Sequence, residues 1–335
     1  MVIVESYVLA VILCFVTMLC WGSWANTQKL ASKEWKFQLF YWDYSIGVLL
    51  LTIILAFTLG SFGDSGRGFM EDLSLAEGSN IWSALLGGIV FNLANILLVA
   101  AIDIAGMAVA FPIGIGLALV IGVITNYVAT PLGDPILIFI GVTFVAIAII
   151  IDAIAYGKLP SASTDKSKTK GLVLSIIAGI AMGFFYRFVA SSMASDFVSP
   201  EIGKLTPYTA LVIFAVGLLV SNIVFVTLIM VRPFSGDKVA PMDYFRKGNP
   251  KLHMVGILGG MIWSVGMSLS IIASGAAGFA ISYGLGQGAT MVAAFWGVYI
   301  WKEFKDAPEG TNKLLNIMFA CFIVGLTLII AARVV

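Results

Sequence analysis

The chain has 335 residues, of which 60% are hydrophobic and only 11% charged, with 19 Lys and Arg against 18 Asp and Glu. A soluble domain is usually about 25% charged, so too little charge is present to cover a water-facing surface, and the bilayer must be the solvent for much of the chain. A net charge of +1 leaves no basic face with which to neutralise the phosphates of a nucleic acid.

The spans are sought as stretches of about 20 mostly apolar residues, the length that crosses the hydrocarbon core. The first, 7–26, follows Glu5 with no positive segment before it and is too long for a signal-peptide core, so it reads as a retained helix. Residues 40–59, 81–102, 106–130 and 136–155 follow. A polar linker, 156–170, contains SASTDKSKTK and separates these from 171–194, 208–231, 252–273, 278–301 and 314–332. The expected fold is therefore all-α integral membrane, with ten transmembrane helices. The expected organisation is a first half, 1–155, a cytoplasmic linker, 156–170, and a second half, 171–335.

The two halves carry a repeat. Sliding residues 87–127 onto 259–299, with no gap, lays Gly87, Gly88, Gly106, Gly114 and Gly116 on Gly259, Gly260, Gly278, Gly286 and Gly288. Tyr127 falls on Tyr299 and Ala108 on Ala280. The matched runs are five spans apart. An odd offset reverses direction through the membrane, so the halves are expected to be inverted repeats, the arrangement on which alternating access rests in many transporters.

Glycines at 114, 116 and 122, and at 284, 286 and 288, let helix backbones approach closely in a bilayer. They are expected to bring the fourth and ninth spans together near a solute, with Gly114 and Gly286 intolerant of bulk and Gly60, beside a loop, tolerant. No strand precedes them and no spaced acid follows, so they do not form a nucleotide site. Cys14, Cys20 and Cys321 lie in apolar runs without a CxxC pair, and His253 is the single histidine. No metal site or cofactor is expected.

Polar side chains within the spans are the candidates for solute binding, because a buried amide or hydroxyl needs a partner. They are Asn92 and Asn95 in the third span, Trp263 and Ser264 in the eighth, and Tyr283 and Gln287 in the ninth. Tyr186 and Arg187 occupy the sixth, where an arginine is costly enough to imply a task such as donating to solute oxygens. Such a lining suits a small neutral polar solute such as a ureide, a nucleobase or a sugar. Asp43, set among Tyr41, Trp42, Tyr44 and Ser45, is the first choice for a proton-coupling carboxylate, ahead of Asp152 and Glu303.

Several motifs then point to a family. Trp42-Asp43-Tyr44-Ser45-Ile46 resembles the start of the second helix in ureide permeases, and Cys20-Trp21-Gly22-Ser23-Trp24 their first-helix Gly-small-Trp element. Phe295-Trp296-Gly297-Val298 with Glu303-Phe304 resembles the end of their ninth helix. The wider pattern is similar to the bacterial glucose/ribose porters, and both groups belong to the drug/metabolite transporter superfamily. The resemblance implies a secondary carrier with a central site between the halves, driven by protons or facilitating uptake, and it adds Trp21 and Trp24 to the binding candidates. Plant members carry a long central cytoplasmic loop with a nucleotide-like stretch, which the short linker here lacks, so ATP dependence is not implied.

The function expected is import of a ureide or nucleobase-like solute by alternating access, coupled to H+ as a symporter, with monosaccharide uptake as the alternative. A channel is the lesser reading, and so is an intramembrane enzyme, which would need a nucleophile–base pair or facing carboxylates at membrane depth.

Orientation follows from basic residues. Fifteen of the 19 Lys and Arg fall in connections on one side, against Arg67, Lys204 and Arg333 on the other. This places both termini outside a cell (inner) membrane that the chain crosses many times. A phosphatase reporter fused after residue 335 should be active and one inserted at 163 inactive; the opposite pattern overturns the orientation.

Overall fold

A computed structural model of the chain describes residues 1–31, 34–105, 107–159, 165–234 and 236–334. Gly106, matched above with Gly278, and the middle of the linker lie outside the described residues. In chain order the helices are α1 (Tyr7–Ser23), α2 (Ala25–Ala31), α3 (Phe37–Phe57), α4 (Phe69–Leu75), α5 (Gly78–Ala105), α6 (Met107–Ala129) and α7 (Pro135–Gly157). Then come α8 (Asp165–Ser192), α9 (Pro207–Val231), α10 (Asp243–Lys247), α11 (Pro250–Ala277), α12 (Phe279–Gly286), α13 (Ala289–Phe295) and α14 (Thr311–Ala331). A π-helical turn, Trp296–Ile300, continues α13.

Local chemistry sets several of the starts. Ser6 accepts from the Leu9 N–H at α1, while Asp134 and Asn249 accept from Leu137 and Leu252 at α7 and α11, each just before a proline. These are side-chain caps followed by a residue that needs no amide partner. Among the described residues eight helical stretches are long and apolar enough to cross a membrane. The apolar part of α6, Ile113–Ala129, is shorter. Outward faces carry exposed large apolar side chains such as Ile12, Ile54, Ile140 and Val224, as a hydrocarbon solvent requires. The chain is an all-helical, multi-pass membrane protein.

The ninth apolar run is not the single helix expected. Gly278, at φ +85°, turns α11 into α12, and α12 ends at Gly286. Gln287 and Gly288 form a tight turn in which the Gly288 N–H bonds Leu285 O at 2.9 Å, and α13 begins at Ala289. Three glycines within five residues weaken the helix here. The Trp21 ring also lies against the backbone at Gly286.

Packing pairs the helices in a regular way. α5 lies against α8 and α9, and α11 against α1 and α3. α3 meets α9, α7 meets α14, and α6 meets α8 and α12. The crossings of α3 with α11 and of α5 with α9 are backbone against backbone. A Cβ added at Gly47 would strike the Ile257 carbonyl, and one at Gly260 that of Tyr44. One at Gly88 would strike the Phe214 carbonyl, and one at Gly217 that of Leu85. Gly60 is not the tolerant position its place beside a loop implied: a Cβ there would lie 2.7 Å from the Tyr208 side chain and 2.8 Å from Ala56 O. Gly114 faces mainly the flexible tip of Leu98.

Gly88→Ala and Gly260→Ala should each cost about 1–3 kcal/mol, because a rigid carbonyl cannot move aside. Gly116→Ala, where a Cβ meets nothing within 4 Å, should be neutral or gain up to about 1 kcal/mol of helix propensity. Denaturant titration of purified protein in mixed micelles checks this; equal behaviour of all three would contradict the crossing geometry.

Candidate functional site

A cavity of about 390 Å³ lies among α1, α2, α5, α7, α8, α11 and the broken α12–α13 segment. Its inner wall is aromatic. The Trp263 ring touches Phe91, with centroids 4.4 Å apart, and stacks against Trp21 at 5.9 Å with the planes 15° apart. Trp21 Nε1–H donates to Trp263 O at 3.2 Å, which fixes the ring in place. Phe185, packed on Phe91 at 5.0 Å, and Met182 complete this wall. Trp24 lines the cavity and packs on Tyr44 at 4.9 Å.

Polar edges enter from three elements. Asn95, on α5, donates to the Tyr41 hydroxyl at 3.0 Å. Gln287 enters from the turn between α12 and α13; no protein group hydrogen-bonds its side chain among the described residues. Asp152 and Tyr156 enter from the end of α7.

The mouth lies where α2 and α7 end and the π-helical turn finishes. Lys29 Nζ bridges Glu303 Oε1 at 2.6 Å, with side chains 44% and 33% exposed. Lys29 also sits 4.2 Å from the Trp301 ring centre. Tyr156 donates to Glu303 Oε2 at 3.0 Å, Trp301 Nε1–H to Asn26 at 2.6 Å, and Trp296 Nε1–H to Ser23 at 2.9 Å. These bonds tie α1, α2, α7 and the segment through the π-helical turn to Glu303 across the opening. Among the described residues, the opposite end of the bundle is bound together by a larger set of bonds. Arg67 donates to Asp72 at 3.0 Å and to Pro200 O and Lys204 O at 2.7 Å, Tyr7 to Ile330 O at 2.6 Å, and Lys204 to Ser191 O at 2.7 Å.

Of the residues singled out from sequence, Trp21, Trp24, Asn95, Trp263 and Gln287, with the carboxylates Asp152 and Glu303, come together on this cavity. The others lie elsewhere. Asn92 is fully buried against α9, with its amide nitrogen 2.7 Å from Ser221 Oγ and 2.8 Å from Asn222 Oδ1. Asn222 in turn donates to Ser45, so this chain of bonds joins α5, α9 and α3. Ser264 donates to Val48 O at 3.3 Å. Tyr283 donates to Ala118 O at 3.1 Å and Met182 O at 3.2 Å, and the Tyr186 hydroxyl lies 3.1 Å from Ser270 Oγ. Arg187 lines a separate cavity of about 190 Å³ with Thr130, Ser191 and Ser195, toward the opposite end.

Asp43 is off the cavity and fully buried. It accepts from Trp35 Nε1–H at 2.9 Å and from the Tyr244 hydroxyl, and His253 Nδ1 lies 2.9 Å from it. Burial, and then the bond to Asp43, holds the Tyr244 phenol above its usual pKa. Among the described residues no group of three or more His, Cys, Asp or Glu could hold a metal ion. The mouth residues Asn26, Gln28, Lys29, Tyr156, Trp296 and Trp301 were not among the sequence candidates. Their one signal is the clustering of aromatic and amide side chains at two span ends.

The family model described as ureide permease matches residues 40–166 and 158–332, two stretches that meet inside the polar linker. Ureide permease 1 and ureide permease 2 of Arabidopsis thaliana are 26% and 24% identical to this chain, with alignments covering 99% of it and 99% of each relative. Those alignments run to 395 and 399 positions, so the relatives carry residues this chain lacks. A protein of known crystal structure superposes over 98% of this chain and 99% of its own with a TM-score of 0.59 at 14% identity, a likeness of fold alone. With the family pattern running from residue 40 to residue 332, the chain belongs to the ureide permease family.

Proposed function

We propose that this protein is a secondary active transporter that imports a small neutral polar solute, of the ureide or nucleobase class, through ten spans built as two inverted halves. The observation that carries this reading is the cavity itself: stacked indoles offer flat faces to a planar solute, and Asn95 and Gln287 offer amide edges. The names of the relatives give the ureide class.

The inverted-half reading draws support from packing that repeats under a shift of five spans. α5 on α8 answers α11 on α1, and α5 on α9 answers α11 on α3. Gly88, which meets α9, is the repeat partner of Gly260, which meets α3. Phe91 and Trp263, partners in the same register, touch each other at 4.4 Å. With the halves at 1–155 and 171–335, the tenfold count takes α1 with α2 as one span and the broken α12–α13 segment as another. The mouth lies at the end rich in lysine and arginine, which the charge rule assigns to the cytoplasm. The conformation is then inward-open, and the heavily bonded opposite end is the closed outer gate.

For coupling, the proton reading rests on Asp43 and its contact with His253, the single histidine of the chain. The pair joins α3 of the first half to α11 of the second. A permease needs no catalytic residues, and none is assigned. Monosaccharide uptake stays as the second reading because Asn26, Gln28, Asn95 and Gln287 could equally bond sugar hydroxyls.

Uptake of labelled allantoin, uracil, glucose and ribose by cells lacking their own carriers tests the substrate class. The ureide or nucleobase should accumulate and the sugars should not; sugar uptake alone would reverse the assignment. In the same assay Gln287→Ala should weaken apparent affinity roughly two- to twelvefold, the worth of one neutral hydrogen bond, and Trp263→Ala more. Asn92→Ala should instead lower stability by about 1–3 kcal/mol, since it leaves partners on α9 unpaired. Asp43→Asn should abolish accumulation against a gradient and spare exchange. Accumulation retained in Asp43→Asn would take the coupling role from Asp43.

A further inference from the structure

Among the described residues, Asp152 is the one acidic side chain on the cavity wall that no protein group satisfies. It is 3% exposed, and its Oδ1 is fully buried without a hydrogen-bond partner. The other acid of the site is already engaged: Glu303 takes Lys29 on one oxygen and Tyr156 on the other, at 2.6 and 3.0 Å. Nothing structural accounts for Asp152. It caps no helix start and lies near the C-terminal end of α7, where the helix dipole does not favour an acid. A partnerless carboxyl in an apolar wall is costly, and it persists where a ligand completes it.

Resting on the ureide-class reading above, we propose that Asp152 is a specificity-determining residue that accepts the N–H donors of the solute while its ring or carbonyl plane lies against the indoles of Trp21 and Trp263. A carboxylate oxygen only accepts, and an N–H of a urea-type unit gives it a charge-assisted hydrogen bond. The cavity, at about 390 Å³, is of the size that encloses a small ligand. Aromatic walls around an acid are also how proteins hold organic cations, so the experiment must separate donor recognition from charge recognition.

The probes are hydantoin, a cyclic ureide with two N–H groups, 1,3-dimethylhydantoin, which has none, and tetraethylammonium. Binding to the purified full chain is measured by calorimetry for wild type, Asp152→Asn and Asp152→Ala, with unchanged elution and melting as the check on folding. Wild type should prefer hydantoin over its dimethyl analogue by roughly ten- to a hundredfold, the worth of hydrogen bonds to a charged acceptor. In Asp152→Ala that preference should collapse to within about threefold, through loss of hydantoin affinity with the dimethyl compound little changed. Asp152→Asn, close in shape, should lose most of the preference and decides the matter if the alanine variant does not fold. Preference kept in both variants, equal loss for both hydantoins, or Asp152-dependent binding of tetraethylammonium would overturn the proposal and leave the ureide reading standing. Failure of wild type to bind hydantoin at all would remove that reading and the proposal with it.

Discussion

Everything in this bundle hangs on two places where helix backbones touch. In hydrocarbon no hydrophobic force draws apolar helices together, so close contact has to come from shape. Gly47 and Gly260 supply it between α3 and α11, and Gly88 and Gly217 between α5 and α9. With those four helices locked, α1 and α8 are laid on their outer sides. The large rings of Phe91 and Trp263 are then forced to meet at the centre. The cavity is what remains beside that contact, toward the end where the helices diverge.

Within this frame the buried polar groups sort into two kinds. Asn92, Asn222 and Ser45 bond one another in a chain across three helices, with Asn92 Oδ1 left unpartnered, and Tyr186, Tyr283 and Ser264 each reach a neighbouring helix. Such groups fix register at small net gain, because each bond replaces one that the separated helices could make elsewhere. Asp152 and Gln287 are of the other kind: they face the cavity and bond nothing in the protein among the described residues. Unpartnered polar atoms also occur in the scaffold, at Tyr44 Oη, Asn92 Oδ1, Asn126 Oδ1 and Ser268 Oγ, so Asp152 and Gln287 are set apart by the missing partner together with their place on the cavity. The mouth adds a third element, since one ion pair and three side-chain bonds hold α1, α2, α7 and the segment through the π-helical turn to Glu303 across it. The ion pair and the Tyr156–Glu303 bond are exposed to water, while the two tryptophan bonds are partly buried.

How much of this is legible in the sequence depends on whether position along a helix or rotation is at issue. Position along a helix is legible: apolar runs mark the long helices, and the proposed glycine register pairs Gly88 with Gly260, each of which lies at a backbone-to-backbone crossing. Rotation about a helix axis is not, because it depends on which neighbour packs where. Asn92 and Asn95 are three apart and share one broad face, yet at 3.6 residues per turn they point about 60° apart. One meets α9 while the other meets the cavity. The same ambiguity hides the roles of Tyr186 and Tyr283. Asp152, Tyr156, Lys29 and Glu303 are hard to value for another reason: charges at span ends usually sit in the interface, and only the fold turns these inward. The break at Gln287 is half visible, since the glycines announce weakness but not that an amide enters through it.

A flat, polar, neutral solute seated against the stacked indoles of this cavity would change their emission. Five of the eight tryptophans, at 21, 24, 263, 296 and 301, line it, so intrinsic fluorescence reports on its occupancy directly. Titrating the purified protein with allantoin should give saturable quenching that glucose does not reproduce and that Trp21→Phe with Trp263→Phe largely removes. Fluorescence unmoved by allantoin at saturating concentration, or quenched equally after both replacements, would contradict a solute site on these indoles.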